Sequence, residues 1–227
     1  MDDTHSFEKL NHKIINCKKC LRLYSYIKKV AKEKVRRFSD QKYWGRPLTG
    51  FGDFNARLLL IGLAPAAHGG NRTGRMITGD SSGDWVAKVL YEHGFATIPV
   101  SREINDGFTL IDTYITASVR CAPPQNKPLQ EELENCFSYL EKELFLLGNV
   151  KVIVCLGKIA FDSCCKLLHI KGAKFSHGKS FVHDKYVIIS TYHPSKQNTQ
   201  TGRLTWKQWQ DIFSKVKAIL DKSASAK

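Results

Sequence analysis

Four short apolar runs, separated by longer stretches with helical periodicity, most constrain the fold of this chain. The runs cover residues 57–62, 112–117, 150–156 and 186–190. Their near-continuous hydrophobicity is typical of strands that are buried on both faces of a parallel sheet. Helical patterns alternate with them at residues 83–94, 128–147, 158–170 and 205–220. The alternation predicts an α/β protein, a three-layer α/β/α sandwich with a central four-stranded parallel sheet.

The length and composition of the chain fit one domain. A chain of 227 residues with 42% hydrophobic residues is long enough to bury one well-filled core. We therefore expect a single domain over 1–227, with an N-terminal helical segment over 1–40 and a frayed basic tail over 222–227. The longest apolar stretch, 58–67, is far shorter than the roughly 20 residues of a membrane span. The polar start does not resemble a signal peptide, so we expect a cytoplasmic protein with no membrane partner.

Four of the seven cysteines are spaced as one metal site. Cys17 and Cys20 form a C-x-x-C pair inside the 1–40 segment, and Cys121 and Cys136 follow about a hundred residues later. Four thiolates close either a zinc site or a 4Fe-4S site, and the spacing leaves both open. Cationic neighbours of the pair favour thiolates, namely Lys18, Lys19 and Arg22. The other cysteines are assigned to core packing because they lie in an apolar run or a predicted helix, and they are Cys155, Cys164 and Cys165.

The charge balance favours a polyanionic partner. Lysine and arginine total 35 against 21 acidic residues, which gives a formal net charge of +14. Such an excess attracts nucleic acid and makes its binding depend on salt.

Distinctive residues follow each predicted strand at its carboxyl end, where the ligand crevice of such a sheet lies. The first strand leads into a glycine-rich run over 62–80, and the second leads into Ser-Val-Arg-Cys at 118–121. Gly157 follows the third strand, and Thr-Tyr-His-Pro-Ser at 191–195 follows the fourth. We expect one pocket to collect all four ends.

The motifs along the chain carry a family resemblance. The glycine-rich run reads Gly-Leu-Ala-Pro at 62–65, His-Gly-Gly-Asn-Arg-Thr-Gly-Arg-Met at 68–76 and Thr-Gly-Asp at 78–80. Later motifs are Arg-Cys-Ala-Pro-Pro at 120–124, Asn-Lys-Pro at 126–128, Tyr-His-Pro-Ser at 192–195 and Thr-Gly-Arg-Leu at 201–204. In this order, from residue 17 to residue 204, they resemble uracil-DNA glycosylase family 5, the B type with an iron-sulfur cluster.

The resemblance implies a cofactor and an activity. It implies a structural 4Fe-4S cluster on Cys17, Cys20, Cys121 and Cys136. It also implies a DNA repair glycosylase that excises uracil, and often other deaminated bases such as hypoxanthine, and leaves an abasic site. The partner is then double-stranded DNA that contains deaminated bases, and we expect the protein to be a monomer. The sequence identifies no protein partner such as a sliding clamp.

The chemistry of base excision assigns two catalytic residues. Such an enzyme flips the nucleotide, binds the base, stabilises the leaving base and delivers water to the sugar. His193, on a turn with Pro194, is expected to donate a hydrogen bond to the O2 oxygen of the departing pyrimidine. Asp80 is expected to orient the water, and the resemblance also favours it.

Water activation has alternatives in this sequence. Many members of the wider superfamily carry Asp or Asn where this chain has Ala64, whose methyl group cannot orient water. Asp80 is the nearest polar replacement, although it also suits the N-cap of the helix that follows. His68 competes for the role, followed by Asp84.

The base pocket departs from the pattern of related enzymes. Ile77 occupies a position that is commonly aromatic, and Thr-Ala-Ser at 116–118 lacks the asparagine that reads the uracil edge in related families. Asn126 is a candidate replacement amide, although it is as easily a turn residue. With Gly62, Ala64 and His68 these residues predict a permissive pocket.

DNA contacts are expected from two loops. Arg72 and Arg75 lie in the glycine-rich loop, where backbone amides and guanidinium groups suit phosphates. Arg203 follows the His-Pro-Ser turn, and Leu204 is the candidate wedge that fills the gap left by the flipped base.

Two other functions compete with this interpretation. One is a non-catalytic nucleic-acid-binding module in which the four cysteines hold zinc. The other is a nucleotide hydrolase, which fits less well because the glycine loop lacks the Lys-Ser/Thr ending of a P-loop.

Overall fold

A six-stranded mixed sheet forms the centre of the computed structural model, which describes residues 3–225. The strands are β1 (Phe51–Gly52), β2 (Leu58–Gly62), β3 (Thr113–Ala117), β4 (Val152–Leu156), β5 (Ser180–His183) and β6 (Tyr186–Thr191). Their order across the sheet is β1-β3-β2-β4-β6-β5. The four central strands are parallel, and β1 and β5 pair antiparallel at the two edges.

The parallel centre confirms the predicted α/β architecture, and the two edge strands were not predicted. β1 has only two residues, which is too short for a hydrophobic pattern. β5 is only half-buried and joins β6 through a tight turn in which Asp184 has a positive φ of 49°. Such a polar edge strand gives no continuous apolar run.

Helices cover both faces of the sheet. They are α1 (Asp3–Ile15), α2 (Leu21–Glu33), α3 (Gly70–Thr73), α4 (Ser81–Glu92), α5 (Gln130–Leu146), α6 (Lys158–Leu167), α7 (Lys196–Gln200) and α8 (Trp206–Ser225). Short 3₁₀ turns lie at Arg36–Phe38 and Pro124–Asn126. None of these helices is both long enough and apolar enough to cross a bilayer.

Each central strand is apolar throughout because successive side chains enter two different cores. Leu58 and Leu60 of β2 pack with α4 and α8, in a cluster that includes Leu90 and Trp209. Leu59 and Ile61 pack on the other face with α5 and α6, in a cluster that includes Phe161. Burial of both faces removes the alternation of polar and apolar residues that one-sided strands show.

The order of the strands places a crevice at one edge of the sheet. The chain passes from β2 to β3 on one side and then crosses back over β2 to β4 on the other side. This reversal is a topological switch point, and ligands bind there outside the carboxyl ends of the strands. The crevice therefore lies beyond Gly62 of β2 and Leu156 of β4.

The amino-terminal segment packs on the same body as the sheet. Phe7 of α1 stacks on Phe54 with ring centroids 4.2 Å apart, and Ile14 contacts the cluster around Tyr139 of α5. Leu23 and Ile27 of α2 pack near the chain that follows β3. At the other end α8 continues to Ser225, and residues 226–227 of the predicted frayed tail lie outside the described residues.

Candidate functional site

Residues from the ends of four neighbouring strands meet at the crevice. The carbonyl of Gly62, at the end of β2, accepts hydrogen bonds from the backbone N–H of Ser118 at 2.9 Å and from its hydroxyl at 3.2 Å. The N–H of Gly157, after β4, donates to the carbonyl of Thr191 at 2.8 Å. A Cβ on Gly157 would lie 3.5 Å from Cβ of His193. The predicted meeting of these strand ends is confirmed for β2, β3, β4 and β6.

His193 is held rigidly at this edge. Its carbonyl accepts from Nδ2 of Asn198 and from the N–H of Ser195, both at 2.8 Å. Ser195 caps α7 by accepting from the N–H of Asn198 at 3.4 Å. Burial lowers the pKa of His193 to about 4. The imidazole is therefore neutral at physiological pH and carries one N–H donor.

Asp80 presents one carboxylate oxygen to the helix and one to the loop. Oδ1 accepts from the N–H groups of Ser82 and Gly83, both at 2.9 Å, so Asp80 is the N-cap of α4. Oδ2 faces Gly69, where a Cβ would lie only 2.2 Å away. Among the described residues nothing donates a hydrogen bond to Oδ2. The capping alternative is therefore correct for one oxygen and leaves the other oxygen for a second role.

The surroundings of Asp80 act on its charge in opposite directions. Burial raises the pKa of Asp80. The two capping amides and the cations Arg72 and Lys196 oppose that rise. Lys196 begins α7, directly after the His193 turn, and its positive charge acts on Asp80.

His68 is positioned by a residue that sequence reasoning missed. Its Nδ1 lies 3.0 Å from the hydroxyl of Tyr43. Burial lowers the pKa of His68, with further contributions from Arg37 and Arg72. Tyr43 is 25 positions away along the chain, and no local signal links the two residues.

Arg72 binds protein groups on both sides of the loop. Its Nε donates to the carbonyl of His68 at 2.8 Å, and its Nη2 donates to the carbonyl of Gly79 at 2.9 Å. Its Nη1 donates to Oε1 of Gln41 at 2.7 Å, and the guanidinium lies 3.9 Å from the ring centroid of Phe38. These contacts fix the residues beside His68 and Asp80. All three nitrogens of the guanidinium already donate to protein groups, which does not fit the predicted phosphate contact of Arg72.

Arg75 is buried, and its predicted DNA contact is wrong. The side chain is 8% exposed, and its Nη2 donates to both carboxylate oxygens of Asp106 at 2.8 and 2.9 Å. Its remaining nitrogens donate to Thr78 and to the carbonyls of Ile104 and Phe108. Arg75 therefore anchors the loop before β3 to the glycine-rich run.

Leu204 is fully buried in the core beside α8, so its predicted role as a wedge is also wrong. Its neighbour Arg203 is exposed, and its guanidinium lies 4.4 Å from the ring centroid of Tyr192. Arg203 remains a candidate for DNA contact, next to the His193 turn.

The candidate base-pocket residues differ in their surroundings. Ile77 is half-buried and has a φ of 51°, which is a true outlier for a β-branched residue and indicates local strain beside Asp80. Ala64 is half-buried near Cys121. Asn126 is exposed in the 3₁₀ turn with a φ of 56°, which fits a turn residue. No described residue is hydrogen-bonded to its side-chain amide.

Three of the four candidate cluster cysteines, Cys20, Cys121 and Cys136, pack in one apolar cluster, and Cys17 packs in the neighbouring cluster beside Tyr139. Cys17 and Cys20 lie between α1 and α2, Cys121 follows β3, and Cys136 lies on α5. Burial, and then repulsion by the other three thiols, raises the pKa of Cys121. Burial also raises the pKa of Cys136, to about 11. It raises the pKa of Cys20 as well. In the described part of the chain, no group of three or more His, Cys, Asp or Glu side chains is arranged to hold a single metal ion.

The expectation that cationic neighbours favour thiolates stays a prediction, and these cations also have partners of their own. Arg22 is occupied by Glu132, to which its Nε and Nη2 both donate at 2.8 Å. Glu132 also accepts from the N–H of Leu129 at 2.7 Å at the start of α5. The pair stabilises the contact between α2 and α5 beside the cysteines.

A second buried ion pair lies behind the cysteines. Arg120 and Glu143 are both fully buried, and the carboxylate of Glu143 also accepts from the hydroxyl of Thr116. Sequence reasoning missed this pair. Glu143 lies seven residues after Cys136 on the buried face of α5, so a helical wheel would have indicated it.

Comparisons with known proteins agree with this arrangement. Residues 49–217 match the family model of the uracil DNA glycosylase superfamily. The chain is 41% identical over 207 residues to the type-5 uracil-DNA glycosylase of Pyrobaculum aerophilum, and the aligned region covers 91% of this chain and 90% of the relative. It is 44% identical over 221 residues to that of Mycobacterium leprae, covering 94% and 96%. It is 43% identical over 210 residues to that of Thermus thermophilus, covering 89% and 93%.

Proposed function

This chain belongs to the uracil DNA glycosylase superfamily and to its type-5 branch, and we propose on that premise that it is a DNA repair hydrolase that excises uracil from DNA. The enzyme breaks the bond between the base and the deoxyribose and leaves an abasic site. The observation that carries this function is the similarity over about nine-tenths of the chain to enzymes named for this activity.

Departure of the base is the step that we assign to His193. Negative charge develops on the O2 oxygen of uracil as the bond breaks. A neutral imidazole keeps one N–H, which can donate a hydrogen bond to that oxygen as its charge grows. The depressed pKa of His193, about 4, keeps the imidazole neutral, and the bonds to its carbonyl support its position.

Delivery of water is the step that we assign to Asp80. Oδ1 is engaged by the helix, so the carboxylate has one orientation, and Oδ2 is left to accept a hydrogen bond from the attacking water. The negative charge also stabilises the cationic sugar that forms as the base leaves. His68 is the alternative, and its Nδ1 is already engaged by Tyr43.

The range of bases extends beyond uracil in our proposal. The aliphatic Ile77 beside Asp80 offers no ring to stack on the flipped base, and Thr116 points into the buried Glu143 pair instead of the pocket. A pocket without these two selective contacts accepts other deaminated bases, hypoxanthine among them.

A structural 4Fe-4S cluster on Cys17, Cys20, Cys121 and Cys136 is also part of the proposal. The donor set fits, because four free thiols from three separate parts of the chain act on one another's charge. In such a cluster each thiolate binds a different iron, so the four sulfurs need not converge on one point. The group supplies folding energy here, since it ties α1 and α2 to α5.

The DNA partner is bound as a duplex by a monomer, within the cell where the DNA lies. Arg203 and Lys196 are exposed next to the His193 turn and are the proposed phosphate contacts. The net charge of +14 supplies the long-range attraction.

Base excision from a panel of duplexes tests the proposed function. Each duplex carries one uracil, hypoxanthine, xanthine or undamaged base, and alkaline cleavage reveals abasic sites. We expect cleavage with uracil first, then hypoxanthine, and none with undamaged bases. Activity on uracil alone would contradict the permissive pocket, and activity on no member would contradict the proposed enzyme.

A further inference from the structure

An apolar groove with a basic rim lies between α1 and α5, and we propose that it binds an acidic segment of a partner protein through one large apolar side chain. The groove has a volume of about 250 Å³. It is lined by Ser6, Lys9, Leu10, Lys13, Lys142, Phe145 and Leu146. None of these residues is assigned a part in base excision, although Leu10 and Leu146 also pack in the cluster that Cys17 contacts.

Phe145 is the feature that the fold leaves unexplained. It is 85% exposed, whereas its neighbours Leu144 and Leu147 on α5 and in the following turn are buried. A second depression of about 270 Å³ lies on its other side, against Leu167 and Tyr186. An aromatic ring that stands between two depressions offers apolar surface to an incoming side chain on both faces. Burial of such an aromatic anchor is where binding energy usually concentrates.

The positive charge on the rim of the groove favours a partner with negative charge. Lys9 and Lys13 lie one helical turn apart on α1, and Lys142 lies one turn before Phe145 on α5. All three side chains are exposed, and no carboxylate of the described residues lies within salt-bridge distance of them. Three unpaired ammonium groups around an apolar floor are complementary to carboxylates that flank an apolar side chain.

The position of the groove separates it from the site of DNA repair. A helix that connects two parallel strands runs antiparallel to them, so α5 begins near the crevice and ends at the opposite edge of the sheet. Phe145 lies fifteen residues after Gln130, the first residue of α5, which corresponds to about 22 Å along the helix. A duplex held at the crevice therefore leaves this groove free, and a protein that binds there does not compete with DNA.

Binding of a synthetic peptide tests the proposal. The probe is a short fluorescent peptide in which Asp and Glu residues flank one Leu-Phe pair, and the control peptide replaces that pair by Ser-Ser. Fluorescence anisotropy is measured with the full-length protein and with Phe145→Ser, Lys142→Glu and Lys171→Glu. Lys171 is exposed and outside the groove, so the last variant changes the charge equally at a different place.

We expect saturable binding of the Leu-Phe peptide and a loss of at least about tenfold in affinity for Phe145→Ser and Lys142→Glu. Lys171→Glu and all rates of uracil release should stay unchanged, and the melting temperature of each variant checks that it folds. Absence of saturable binding below about 1 mM peptide would overturn the proposal. Equal effects of Lys142→Glu and Lys171→Glu would also overturn it, since attraction would then be non-specific. Self-association abolished by Phe145→Ser would instead assign the groove to a second copy of the chain.

Discussion

Burial shifts the pKa values of the two proposed catalytic residues in opposite directions. It lowers the pKa of His193 and raises that of Asp80, so it favours the neutral form of each. A neutral imidazole suits a hydrogen-bond donor, whereas water activation needs the ionised carboxylate. The two amides at the start of α4 and the cations Arg72 and Lys196 restore that ionised form. The cap of a helix thus serves the chemistry as well as the fold.

Replacement of His193 by alanine removes the donor to the leaving base. We expect single-turnover release of uracil to fall by on the order of 100-fold, as loss of one such donor typically does. Bases that leave more easily should lose less, because they need less stabilisation. Binding of a duplex with an abasic-site analogue is the control and should be retained. An equal loss for every base would assign His193 to positioning of the DNA.

Replacement of Asp80 by asparagine keeps the cap and removes the charge. We expect single-turnover excision of every base to slow by on the order of 100-fold or more, since water delivery is common to all substrates. His68→Ala should cost less. The reverse order of the two effects would move water activation to His68 and leave Asp80 as a cap.

The same residue predicts the acid limb of the rate profile. The active form carries ionised Asp80, so activity is present above the pKa of Asp80 and is lost as the pH falls through it. Because that pKa is raised, the loss begins at a higher pH than for an ordinary aspartate. Protonation of His193 adds its effect only near its pKa of about 4.

At the scale of elements, the four central strands and the longer helices followed from the sequence, whereas the edge strands and the connections did not. The apolar runs predicted β2, β3, β4 and β6, because a strand that is buried on both faces has apolar residues at consecutive positions. The surroundings of the loops depend on distant partners. Arg75 looked available for DNA because its partner Asp106 lies 31 residues away, and Leu204 looked like a wedge because the local sequence does not show that it enters the core beside α8. The loops that carry the proposed catalytic residues were predicted to follow the strand ends, and the residues that hold these loops, such as Tyr43, were not predicted.

Asp106 holds the loop between α4 and β3 through Arg75. Burial alone would raise its pKa, but hydrogen bonds from Arg75 and from three backbone amides lower it to about 2. A carboxyl with a lowered pKa contributes stability above its unfolded pKa of about 4. That contribution, about 2 kcal/mol, is lost as the pH falls from about 4 through about 2.

Asp106→Asn should therefore lower the free energy of unfolding by about 2 kcal/mol near neutral pH, because it leaves Arg75 buried without its counter-charge. Denaturant unfolding at several pH values measures this change. The difference between the two proteins should shrink towards pH 2. Asp53→Asn, at an exposed turn that only caps its own loop, is the matched control. A constant difference at all pH values would mean that packing, not charge, links the loop to Arg75.

At the scale of the whole molecule, the cysteines connect parts of the chain that are far apart in sequence. Asn135 donates to the sulfur of Cys20 across 115 positions, and Arg22 pairs with Glu132 across 110. Both contacts lie where α2 meets α5. This junction helps to join the amino-terminal helices to the carboxyl edge of the sheet, so we expect its loss to affect the whole body.

Cys17→Ser should remove the proposed cluster and stability together. We expect loss of iron and sulfide from the purified protein and a fall in melting temperature of roughly 5 °C or more, since binding energy of the cluster is folding energy. Cys165→Ser is the control, because Cys165 is half-buried on α6, away from the site. A brown, stable Cys17→Ser protein would show that Cys17 is not a ligand.

The packing of α1 on α5 also sets an order of events during translation. The apolar side of α1, with Phe7, Leu10 and Ile14, leaves the ribosome long before the helix that covers it. At about 5 to 20 residues per second, the 115 positions between Cys20 and Asn135 take roughly 6 to 23 s to synthesise. During that interval the apolar side of the first helix is exposed on the nascent chain, where chaperones can bind it. The order of synthesis and the order of packing therefore differ at this end of the chain. The first segment to be synthesised is among the last to pack into the fold.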